Sequence, residues 1–133
     1  MQKNWLLIHL GKDHFLKVGN KVFRCQIGLG GLKNKIKKIE GDKTTPIGKW
    51  YLKSIYYRSD RILRPKLKKK NILKIRQITK NCGWCDDIKS QYYNKYITIN
   101  NTRSLNINYE SLWREDNAYD IIIETSYNTK PII

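Results

Sequence analysis

The sequence predicts a mainly β fold, and three segments carry that prediction. Phe15-Leu-Lys-Val-Gly-Asn-Lys-Val-Phe-Arg-Cys25 reads as two strands around the two-residue loop Gly19-Asn20, a loop type whose twist matches paired strands. Lys49-Trp-Tyr-Leu-Lys-Ser-Ile-Tyr-Tyr57 is an aromatic and β-branched run. Tyr119-Asp-Ile-Ile-Ile-Glu-Thr125 has the continuous apolar centre of a buried strand. At 133 residues the chain fits one domain over 1–133, and a chain of this size buries roughly two thirds of its unfolded surface.

The elements follow in order. Beyond the first turn, Phe23, Cys25 and Ile27 alternate with Arg24 and Gln26, which places the first set on one face and makes Cys25 a small core residue. Gly28, Gly30 and Gly31 break that strand and lead into a lysine-rich loop. Their spacing falls short of a phosphate-cradling motif. Thr45-Pro46-Ile47-Gly48 punctuates the chain before the aromatic run. Residues 61–80 hold nine Lys or Arg and no acid, without a clean period, and read as a solvated loop with apolar anchors or a polyanion-binding face. Tyr96-Ile-Thr-Ile99 is a short strand candidate, and residues 109–114 a helical turn or loop.

Charge gives the sign of a partner but not its identity, and the joint excess of Lys, Asn, Ile and Tyr is also what A+T-rich codons produce with no binding role. Lys and Arg number 27 against 11 acids, a formal net charge of +16, and such a field attracts nucleic acid, an anionic glycopolymer or an acidic membrane surface. The balance reverses late, where Glu110, Glu115, Asp116, Asp120 and Glu124 follow Arg103 and face only Arg114 and Lys130. An electrically two-sided domain is expected. The basic run lacks the aromatic platforms of single-strand nucleic-acid binders.

Several functional classes lose support. Three cysteines are an odd number for a disulfide framework, and two histidines are few for a zinc site, so no metal or cofactor is expected. No stretch approaches the ~20 apolar residues of a membrane-spanning helix, and the amino end, where His9 interrupts a short apolar run, shows no export signal. Cys82-Gly-Trp-Cys85 is a CxxC that fits a structural pair, a redox dithiol or half a metal site. Asp86 and Asp87 are adjacent and so point apart, a poor acid/base pair. Trp113-Arg114-Glu115-Asp116 could grip a charged peptide or form an exposed ion-pair cluster.

Taken together, Glu40-Gly41-Asp42-Lys43-Thr44-Thr45-Pro46-Ile47-Gly48, then Cys82-Gly-Trp-Cys85-Asp86-Asp87, then Leu112-Trp113-Arg114-Glu115-Asp116, then Tyr119-Asp-Ile-Ile-Ile with Tyr127-Asn128, resemble in order and spacing one branch of the YkuD-type L,D-transpeptidase family. The resemblance implies a YkuD-like β-sandwich with short helical or loop insertions. It also implies cysteine acyl transfer on peptidoglycan stem peptides, placed in the periplasm or cell wall. A thiolate kept ionised by a neighbouring His attacks a stem carbonyl, backbone N–H groups hold the oxyanion, and an amine of a second stem takes the acyl group. The residues of the matched blocks expected at the substrate are Trp84, Asp86, Trp113, Arg114 and Tyr119.

No Ser/Thr-x-Gly-Cys occurs in the sequence, and Cys25, Cys82 and Cys85 do not match the nucleophile's position, so no catalytic residue is carried over. The fold is therefore expected to be incomplete at its C-terminal end. Because it closes on the apolar Pro131-Ile132-Ile133, the chain is expected to be a truncated product of a longer gene; a domain that lost its catalytic end and kept a binding role is the competing explanation. Either way an unpaired sheet edge should lower the stability of the isolated chain. The expectation from another functional class is a non-catalytic basic module that binds an anionic cell-wall polymer or nucleic acid through 35–43 and 61–80.

Overall fold

The structure, a computed structural model, describes residues 14–34, 36–67, 73–102 and 106–129. His9 and the amino end, Lys35, the centre of the basic run at 68–72 and the terminal Pro131-Ile132-Ile133 lie outside the described residues. The architecture is mainly β, with ten short strands in several small sheets and one helical turn among the described residues. The described residues gather into two compact units, one running to Leu52 and the other beginning at Lys53.

In the first unit, β1 (Phe15–Val18) and β2 (Lys21–Arg24) form the antiparallel hairpin expected from sequence, with Val18 opposite Lys21. Gly19 closes it in the left-handed region, φ 57°, where a side chain is disfavoured. The expected burial of one face is not met throughout. β2 is exposed along its length, Phe23 included, and Cys25 and Ile27 are half-buried. A two-stranded ribbon covers only the face that something packs against.

Thr45-Pro46-Ile47, read as punctuation, is instead the strand β4 (Thr45–Ile47), parallel to β3 (Leu32–Asn34), which falls in the stretch read as loop. Proline is tolerated because, among the described residues, this two-stranded pair has no further strand that would need its missing N–H. Asp42 holds the approach. Its carboxylate accepts from the Thr44 amide at 2.9 Å, the Thr44 hydroxyl at 2.7 Å, the Ile39 amide at 3.0 Å and the Lys38 ammonium at 2.7 Å. The Lys38 bond and the Thr44 hydroxyl keep the Asp42 carboxyl far below the usual carboxylate range.

In the second unit, β5 (Leu52–Tyr57) lies between β10 (Ile121–Thr125) and β6 (Lys74–Gln77), and β6 runs parallel to it. A second sheet has β7 (Cys82–Cys85) at its centre, antiparallel to both β8 (Tyr96–Thr98) and β9 (Tyr109–Ser111). The helical turn α1 (Ile99–Thr102) follows β8 directly. The core joins Tyr56 of β5 and Cys82 of β7 with Ile78 and Leu112, and Trp84, Tyr96, Trp113, Tyr119 and Ile122 pack against it.

Two expectations change here. Residues 109–114 open with a strand rather than a helical turn, since β9 finds partners in β7 that its three residues alone do not advertise. β10 is a strand but is not buried on both faces: Ile121 and Ile123 are 51% and 47% exposed while Ile122 faces the core. Its apolar run is continuous, yet only alternate positions are covered.

Candidate functional site

The second unit carries a cavity of about 240 Å³ against β10, lined by Trp84, Asn94, Glu110, Leu112, Tyr119, Tyr127 and residues 122–125. Trp84 is on β7, whose alternation sends Cys82 and Trp84 to one face and Gly83 and Cys85 to the other. The Trp84 indole N–H donates to the Asn94 side-chain oxygen at 3.1 Å, and the Asn94 amide donates to the Asn128 carbonyl at 2.8 Å. Asn94 and Asn128 both sit at positive φ, 56° and 53°, a conformation asparagine tolerates better than most residues. One wall is thus fixed by an aromatic ring tied through Asn94 to the turn after β10.

Beside Trp84 the lining turns polar, since Glu110 of β9 is its cross-strand neighbour. Tyr119 donates its hydroxyl to the Glu110 carboxylate, and burial together with that carboxylate pushes the phenol up to about 12. The Arg114 guanidinium lies 5.0 Å from the Tyr119 ring centroid and forks onto Asp116. That fork depresses Asp116 to about 2. Glu124 accepts from Lys53 at 2.9 Å and from the Tyr56 hydroxyl at 3.0 Å. Burial opposes its ionisation, but these donors outweigh burial and hold its carboxyl below the usual value. Burial and the charge of Glu124 in turn push Tyr56 up to about 12.

Of the five residues expected at the substrate, Trp84 and Tyr119 line the cavity and Arg114 stacks on Tyr119 outside it. Trp113 packs on the core, covered by the Arg58 guanidinium 3.6 Å from its ring centroid. Asp86 is exposed just past β7 and does not line the cavity. The ion-pair reading of 113–116 holds for Arg114 and Asp116. Sequence reasoning missed Asn94, Glu110, Glu124 and buried Arg58, which forks onto Asp60 and donates to the Arg114 carbonyl at 2.7 Å. No local pattern marks them, because each acts on a residue from another element.

The CxxC has a plain structural meaning. Both cysteines are buried and unbridged on one strand, and three residues apart they project to opposite faces. The Cys82 sulfur lies 3.0 Å from the Tyr96 hydroxyl, and burial plus that contact raises Tyr96 above the ordinary phenol range. Neither thiol opens onto the cavity. Among the described residues, no group of three or more His, Cys, Asp or Glu side chains is placed to hold a metal ion, and no helix is long and apolar enough to cross a membrane. Compared with known proteins, the chain matches no family model, no curated protein and no solved structure.

Proposed function

We propose that this chain is an L,D-transpeptidase-family protein of YkuD type that works in peptidoglycan cross-linking or remodelling, with the cavity against β10 as the seat of a stem peptide. One observation supports the reading most. Four of the five blocks, at 82–87, 112–116, 119–123 and 127–128, are scattered over the sequence, yet Trp84, Leu112, Tyr119, Ile122 and Tyr127 from them line the same cavity, while the block at 40–48 belongs to the first unit. Shared placement on a cavity is what a common ligand would require of otherwise unrelated segments.

Aromatic faces and an apolar floor suit the aliphatic parts of a stem, while Asn94, Thr125 and the two glutamates offer partners for its amide and amine groups. Acyl transfer needs an accessible thiolate, and Cys82 and Cys85 are enclosed in β7. In this reading the cavity-lining residues bind and orient the peptide. Calorimetry with a purified tetrapeptide stem is the test: binding should be weakened at least about tenfold by Trp84→Ala or Tyr119→Ala. Absence of binding, or binding indifferent to both substitutions, refutes it.

A second reading, a non-catalytic module for an anionic cell-wall polymer or nucleic acid, draws on β6. Lys74, Arg76 and Lys80 are exposed on or just after this edge strand, and none is in an ion pair among the described residues. Polymer affinity that falls steeply with salt and is lost in Lys74→Gln/Arg76→Gln, with no stem binding, would favour it.

A further inference from the structure

We infer that the first unit docks on an anionic lipid bilayer through the two laced loops at 28–31 and 36–44. These loops carry three of the most exposed large apolar side chains in the described residues: Leu29 at 92%, Ile36 at 79% and Ile39 at 66%. Isolated exposed apolar side chains are ordinary; three concentrated on two hydrogen-bonded loops are not.

The loops are held in a fixed arrangement with these side chains outward. The Gly30 amide donates to the Lys43 carbonyl at 2.9 Å, the Gly28 amide to the Thr45 hydroxyl at 2.7 Å, and the Thr45 amide to the Gly31 carbonyl at 2.8 Å. The approach is close enough that a Cβ on Gly28 would stand 2.2 Å from the Lys43 oxygen. Asp42 ties down the other loop through Ile39, Thr44 and Lys38. The backbone on either side of Leu29 is thereby fixed beside the 36–44 loop.

Charge selects the occupant. Residues 28–44 hold five lysines and two acids, and the Asp42 charge is taken up by Lys38 and Lys33. Lys37 and Lys43 are exposed and in no ion pair among the described residues. An anionic bilayer answers both features, since lipid phosphates take the lysines and the acyl boundary takes Leu29, Ile36 and Ile39. A soluble polyanion would answer only the first, offering no apolar medium.

The test is co-sedimentation of the full chain with phosphatidylcholine vesicles and with equal mixtures of phosphatidylcholine and phosphatidylglycerol. Binding is expected to the mixed vesicles alone, lowered about tenfold by Leu29→Ser or Ile36→Ser and about fivefold by Lys37→Gln. Ile121→Ser, an exposed apolar position in the second unit, should leave it unchanged. All four sites are exposed, so circular dichroism should report an unaltered fold. The inference is overturned if anionic vesicles are not bound. It is equally overturned if both serine variants bind as the parent does while polyphosphate competes fully, which would make the surface a polymer site.

Discussion

Oxidising the native protein with diamide should leave Cys82 and Cys85 unlinked, which separates the structural reading of the CxxC from the redox one. A strand advances about 3.3 Å per residue, so positions three apart have Cα atoms about 10 Å from each other, and their side chains leave opposite faces. A disulfide needs Cα atoms within about 7 Å and Cβ atoms that converge. Closing the gap means stripping β7 from β8 and β9, between which it is the central strand. If that opening costs about 5 kcal/mol, at the low end for small domains, the bridging-competent fraction is on the order of 10⁻⁴. The assay is brief diamide exposure, acid quench, alkylation in denaturant and mass spectrometry of the peptide bearing both cysteines. Both should be alkylated, whereas the same exposure in urea should yield the bridged peptide. A Cys82–Cys85 disulfide formed equally fast in both conditions would show that the pair does not occupy one paired strand.

Further perturbations probe the rest of the framework. Ile78, 1% exposed in the core of the second unit, should cost about 3–4 kcal/mol on replacement by alanine, read as a lowered urea midpoint at unchanged slope. Glu124 is held below its ordinary 4.5, so its contribution to stability is complete above that value and is lost as pH falls towards the folded value; Glu124→Gln should flatten the acid limb of a stability–pH curve. Tyr56 behaves oppositely. Its phenol is raised from 10.0 to about 12, so its contribution is complete below pH 10 and fades as pH rises through 12, and Tyr56→Phe should remove that alkaline loss. Gly28→Ala, which sets a methyl against the Lys43 carbonyl, should cost about 2–3 kcal/mol and raise hydrogen exchange at the Gly30 and Thr45 amides.

The sequence by itself determined the β class, the hairpin at Gly19-Asn20 and the strands within 49–57 and 119–125. These rest on preferences acting over a few residues: a turn that needs positive φ, and β-branched or aromatic side chains that suit an extended backbone. Which face each strand covers was not written locally. Ile121, Ile122 and Ile123 look alike in sequence, and only the core formed by Tyr56, Ile78, Cys82 and Leu112 decides that the middle one is inside. Pro46 joins a strand because Leu32–Asn34 lies alongside, and Cys82–Cys85 is a strand because two others flank it. The same holds for the cavity. Trp84 and Tyr119 were legible from the blocks they belong to, whereas Glu124 acquires its role from Lys53 and Tyr56, 71 and 68 positions away. Contacts between segments so distant depend on how the whole unit closes, because the free energy that selects them comes from burial and charge pairing, which exist only once the chain is folded.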